Sequence, residues 1–285
     1  MKGAIKLQNN KLSSAQRYAT SVPLLRRIAP REETFSTLST SSARRRTTVV
    51  AQSSLSPKKP EPPIELPPYS YQTLCPLRNV VYAATLHDGK TSLKKMVNSS
   101  VLGFDIEWKP NFVKGAPPNP VACVQLSNED SVIVLQVSAM SKLPEELFTM
   151  LQNSSIVKVG VGISDDAKKL NKDWGISVRN MVDLSTLARS LDPYWAEEDR
   201  LKAEATNNPN LKAAPVGLAR LAARYLTLQL VKGKKVTRSN WERPLTTAQI
   251  NYAANDAAVA FDVYQRLELF QKGETTLPSA DMRHK

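Results

Sequence analysis

Two carboxylates one residue apart, Asp105 and Glu107, close the run VLGFDIEW. On a strand, residues i and i+2 point to one face, so these acids would stand side by side against an apolar segment. Two like charges held there are costly unless a cation neutralises them. Magnesium or manganese, which take oxygen ligands, would do so. The plainer alternative is a strand end with solvated acids. Further on, GVGISDDAKKL places Asp165 and Asp166 where a glycine-containing strand end turns into a helix. An acid in that position also suits a helix cap or a first-turn charge favoured by the helix dipole. The run lacks the third glycine of a dinucleotide fingerprint. In NYAANDAAVAF, Tyr252 and Asp256 are one helical turn apart on one face. A phenol so placed can orient a metal-activated water; otherwise it is a core tyrosine beside a surface acid. Ala253, Ala254, Ala257 and Ala258 would let this helix lie close on a sheet and bring Asp256 to Asp105 and Glu107.

A second group is basic. Lys232, Lys234 and Lys235, followed by Arg238 and Trp241, could form a phosphate-contacting edge with Trp241 stacking a base. Equally, the segment could be a solvated turn with Trp241 packed inside. Trp108 and Lys109, just past the paired acids, could touch whatever those acids act on. Other chemistries are poorly supplied. The histidines are His87 and His284 and the cysteines Cys75 and Cys123. That scarcity argues against a Ser-His-Asp triad, a histidine-rich metal site or a disulfide framework, and it fits a reducing compartment.

The elements that would position these residues follow from periodicity. Strands are expected at 80–84, 101–108, 121–127, 131–137 and 156–161, with a short strand or turn at 181–184. Helices are expected at 91–98, 143–153 and 164–174, after residue 184, at 216–225 and at 246–270. The last is opened by a Thr246/Gln249 capping box. Residues 192–214 read as an irregular polar loop. Clustered strands followed by alternating strands and helices imply an α/β domain with a mixed sheet flanked by helices.

The chain has 285 residues, 41% of them hydrophobic, enough for one sizeable core. Its net charge of +13 is unevenly placed: residues 1–60 hold 12 of the 39 Lys and Arg and only two of the 26 acids. Residues 1–55 therefore read as a basic, Ser/Thr-rich leader. Its composition suits a mitochondrial transit peptide, with a nuclear localisation patch or a plain tail as alternatives. Residues 56–74 read as a proline-rich linker, 75–275 as the folded domain and 276–285 as a tail. No apolar run is long enough to span a membrane.

Taken together, VLGFDIEWKP, VKVGVGISDDAKKL, MVDLSTLA and SNWERPLTTAQINYAANDAAVAF resemble the DEDD exonuclease superfamily, specifically the tyrosine-bearing branch with Werner-type and RNase D-like 3′-5′ exonuclease domains. The resemblance covers roughly residues 80–270. It implies an RNase H-like fold, with Asp105, Glu107, Asp166 and Asp256 as ligands of two Mg²⁺ or Mn²⁺ ions. Asp105 would bridge the two ions and Tyr252 would position the attacking water. The implied partner is a nucleic acid with a free 3′ end, single-stranded or overhanging. An RNase D-like exoribonuclease, an inactive nucleic-acid-binding module and a scaffold subunit are the rival readings.

Overall fold

Runs rich in Val, Ile and Leu form strands because β-branched side chains pack well on a pleated surface. The computed structural model describes residues 65–277. The leader and the mitochondrial or nuclear address expected of it, linker residues 56–64 and tail residues 278–285 lie outside the described residues. In chain order the elements are β1 (Asn79–Ala83), α1 (Leu86–Leu93), β2 (Val101–Trp108), β3 (Val121–Ser127), β4 (Ser131–Leu135), α2 (Glu145–Gln152), β5 (Val157–Gly160), α3 (Ile163–Trp174) and β6 (Met181–Asp183). Then follow α4 (Leu184–Leu191), α5 (Tyr194–Ala205), α6 (Leu218–Leu226), the single turn α7 (Lys234–Thr237) and α8 (Thr247–Gln271).

The six strands form one mixed sheet in the order β1-β4-β3-β2-β5-β6. β3 is antiparallel to both β2 and β4; the other neighbours are parallel. Alternation along each strand splits the core into two layers. Leu102, Phe104, Ile106, Val124, Leu126 and Ile133 face α1, α2 and α3. Val101, Cys123, Val132, Val134 and Val159 face the long helix α8, with α4 and α6 beside it. Asp105 and Glu107 belong to this second face by the same alternation.

Helix α8 begins as the sequence predicts. Thr246 Oγ1 accepts from the Gln249 backbone N–H at 3.3 Å, and the Thr246 N–H donates to Gln249 Oε1 at 3.0 Å. The helix comes closest to the sheet at Gly103. A Cβ there would lie 2.0 Å from the backbone oxygen of Ala257, so only glycine fits beneath the alanine-lined face.

Three expectations need correction. The helix expected at 91–98 runs instead over Leu86–Leu93, because Thr85 caps it by accepting from the Asp88 N–H at 3.1 Å. The stretch 192–214 is not all loop. It contains α5, whose polar surface hid one buried ring: Trp195 donates to the Tyr225 hydroxyl at 2.8 Å and lies under the Arg220 guanidinium. Burying that ring contributes on the order of 2–3 kcal/mol, and the charged residues pair along the helix as Glu197–Arg200, Arg200–Glu204 and Glu198–Lys202. The folded part also starts before residue 75. Pro67 and Tyr69 hydrogen-bond to Gln229 at 2.8 Å each, and Tyr69 is buried with its hydroxyl donating to Asp262 at 2.6 Å.

Candidate active site

β2 and α8 bring the acids together from opposite ends of the folded segment. One side-chain oxygen each from Asp105, Glu107 and Asp256 falls within a mutual 4.8 Å. Asp105 and Glu107 are neighbours on one face of β2, opposite Gln125 and Cys123 of β3. The register shifts between Glu107 and Trp108, so the strand's alternation breaks immediately after the pair. Asp256 is held above them by the close seating of α8 at Gly103.

Asp166 stands in the first turn of α3, half-buried. It lies outside that tight group, yet near enough for its charge to raise the titration of both Asp105 and Glu107. Its neighbour Asp165 is exposed and paired with Lys168 at 2.7 Å. Of the two neighbours, Asp166 is the one whose charge acts on both Asp105 and Glu107. The helix starts where it does because Gly162 adopts φ 71°, a left-handed conformation, and its N–H donates to Asp183 at 2.7 Å.

The electrostatics are those of crowded acids. Burial, then the charges of Asp256, Glu107 and Asp166, push Asp105 well above the carboxylate range. Burial and Asp256 raise Glu107 to about 8. Burial and Asp165 raise Asp166 to about 7. Asp256 is raised by burial, an effect that Lys232 and Tyr252 oppose. The Tyr252 phenol is raised by burial and then by Asp256, so it stays protonated. Asp256 Oδ1 is buried and accepts no hydrogen bond; Lys232 Nζ is 3.8 Å away, an ion-pair distance too long for one. A compact set of carboxylate oxygens that repel one another, one of them unsatisfied, is the donor set a hard divalent cation would neutralise. The residues present fit such an ion.

The remaining candidates divide. Trp241 is fully buried and tilted against Tyr252 at 6.1 Å between ring centroids. It has no free face for a base, and the stacking role expected of it is withdrawn: its apolar area is worth more in the core. Trp108 is half-buried with the Lys169 ammonium 4.9 Å from its ring centroid. Lys109 pairs with Glu242 at 3.4 Å. Lys234, Lys235 and Arg238 are exposed on the α7 turn. Two features escaped sequence reasoning. Lys232 is the cation that reaches Asp256, although nothing in its sequence neighbourhood separates it from the lysines beside it. Gln125, directly opposite Asp105, is fully buried with neither amide atom hydrogen-bonded; a lone glutamine inside the apolar run VACVQLS is the signal that could have found it.

Known proteins are similar to this chain over the stretch that carries these elements. The sequence model of a family described as 3′-5′ exonuclease matches residues 81–270. The chain is 33% identical over 171 residues to a 3′-5′ exonuclease of Arabidopsis thaliana, covering 59% of this chain and 52% of that protein. It is 34% identical over 176 residues to the mouse bifunctional 3′-5′ exonuclease/ATP-dependent helicase WRN, covering 61% of this chain and 11% of that protein. Escherichia coli RNase D, an exoribonuclease involved in structured RNA processing, superimposes with a TM-score of 0.53 at 19% identity over 71% of this chain and 48% of that one, a likeness of fold. The chain thus spans about half the length of the plant relative and a small part of the helicase.

Proposed function

The chain belongs to the 3′-5′ exonuclease family, and from that premise we propose that it hydrolyses phosphodiester bonds at nucleic-acid 3′ ends through the carboxylate cluster of β2 and α8. The observation that carries this reading is the convergence of Asp105, Glu107 and Asp256 within 4.8 Å. An all-oxygen donor set favours Mg²⁺ or Mn²⁺ over softer metals. Asp105, Glu107 and Asp256 would hold one ion, and Asp166 with Asp105 a second. Ions bound there would lower the pKa of a coordinated water and offset charge on the phosphate.

The chain's own groups do the remaining work. Tyr252, kept protonated, is a hydrogen-bond donor; it orients the attacking water and does not deprotonate it. Lys232, held beside Asp256, offers a positive charge to the phosphate. α8 fixes Asp256 against the sheet, so both sides of the cluster are preset before substrate arrives. The partner is a nucleic acid with a free 3′ end, and the composition of residues 1–55 supports delivery to the mitochondrion.

The test is degradation of DNA and RNA strands labelled at either end, with Mg²⁺, Mn²⁺ or EDTA. Mononucleotides should leave from the 3′ end with either metal, not with EDTA, and not from Asp105→Ala. Release that persists in EDTA, or that Asp105→Ala leaves intact, would overturn the reading. Strand binding without release under any condition would favour an inactive module.

A further inference from the structure

The loop between β2 and β3 leaves the site immediately behind Glu107 and exposes two large apolar side chains, Phe112 and Val113, each 69% accessible. It is not slack. Asn111 Oδ1 accepts from the Val113 N–H and Asn111 Nδ2 donates to the Pro117 carbonyl, both at 3.0 Å. Asn119 Nδ2 closes the base of the loop on the Lys109 carbonyl at 2.8 Å, and Lys169 ties the Asn119 carbonyl to α3 at 2.7 Å. These bonds bracket Phe112, whose ring is exposed to solvent. The Arg238 guanidinium lies 5.2 Å from the Phe112 ring centroid, and Lys109 meets Glu242 at 3.4 Å, so this loop and the segment around α7 adjoin beside the end of β2. Residues 109–119 and 231–243 together hold seven Lys and Arg against one acid, Glu242.

We infer that Phe112, flanked by Arg238, is a stacking platform for unpaired bases of the strand whose 3′ end enters the carboxylate cluster. The inference rests on the exonuclease reading and specifies its substrate: an aromatic face framed by cations matches a chain of bases and phosphates, and a base still in a duplex has no free face to stack. The platform serves DNA and RNA alike, because both offer π-faces and phosphates; parallel DNA and RNA arms identify which is taken.

Binding of the full chain is measured in EDTA by fluorescence anisotropy, which needs no turnover. The probes are a single-stranded oligonucleotide, an abasic strand of equal length and charge, and a blunt duplex. The native protein should bind the base-bearing strand about 10-fold more tightly than the abasic one or the duplex. Phe112→Ala should lose roughly 5- to 10-fold on the base-bearing strand and nothing on the abasic one, the scale of one base–aromatic contact. Phe112→Trp should keep the preference, and Arg238→Gln should weaken both strands and flatten the salt dependence. Unchanged affinity in Phe112→Ala, an equal loss on the abasic strand, or tighter binding of poly-glutamate than of the base-bearing strand would each overturn the platform. Nucleotide release with Mg²⁺ is scored separately. A native enzyme that releases nucleotides while Phe112→Ala binds normally sinks the platform alone. Base-selective binding that Phe112→Ala abolishes, in a protein that releases nothing, sinks the exonuclease reading alone.

Discussion

Asp256 and Asp262 lie on the same helix, fewer than two turns apart, and both are buried, yet their surroundings are opposite. Asp262 receives both terminal nitrogens of Arg78, at 2.7 and 3.1 Å, and the Tyr69 hydroxyl at 2.6 Å. Asp256 faces Asp105 and Glu107, with one unsatisfied oxygen, the Tyr252 hydroxyl beside its carboxylate and a lysine at 3.8 Å. One carboxylate is finished inside the protein. The other is left for something from outside. Burial of a charge is therefore not by itself a sign of function; burial without adequate pairing is.

Exchanging the two roles gives the largest expected effects. Asp256→Asn should lower nucleotide release by about 10³-fold, the scale of losing several kcal/mol of charge stabilisation, without lowering the melting temperature of the metal-free protein. Arg78→Met, which strands a buried charge, should cost about 3–5 kcal/mol in denaturant unfolding. If Asp256→Asn proved as destabilising as Arg78→Met, the contrast would fail.

Next comes the response to pH and metal. Glu107 is raised from 4.5 to about 8 and Asp166 from 3.8 to about 7, so both bind protons more tightly folded than unfolded. The cluster's contribution to stability is then best at acid pH, where these groups are protonated in both states. It declines as pH rises from about 4 to 8. Mn²⁺ at about 100 times its dissociation constant at pH 8 should restore about 2.7 kcal/mol, and the same concentration should raise the melting temperature less at pH 5, where protons compete for the carboxylates. An equal rise at both values would remove the carboxylates from the explanation. A smaller effect, about 1–3 kcal/mol, is expected for Gly103→Ala, which must lift α8 off β2. Smallest is Lys232→Met. Lys232 is half-exposed and 3.8 Å from the buried Asp256, so the contact is worth under about 1 kcal/mol in calorimetry, and its loss should tighten Mn²⁺ binding, since a competing cation is gone.

Much of this was legible from residue spacing. β2 and β3 match their expected bounds because apolar runs flanked by polar turns have few other ways to bury themselves. The i, i+2 pairing of Asp105 with Glu107 and the alanine-lined face of α8 also come straight from periodicity. What escaped depends on distant partners. α5 has too few apolar residues for a helical stripe, and Trp195 is explained by partners well down the chain, Arg220 and Tyr225. The prolines before residue 75 suggested a spacer apart from the fold, but among the described residues the backbone there joins an edge, as Pro67 and Tyr69 do with Gln229. Trp241 invited a recognition role by type and neighbours, and burial overruled it. The metal-ligand roles proposed for the four acids and the water-positioning role proposed for Tyr252 rest on the family resemblance together with this geometry.

That early strap sets a limit on trimming the protein for expression. Tyr69 supplies a hydrogen bond to Asp262, and the Tyr71 N–H donates to Asn255, next to Asp256, at 2.9 Å. A version begun at Cys75 would uncover the edge at Gln229 and take a partner from each of these two positions on α8. Cleavage sites and fusion joints therefore belong upstream of Leu66.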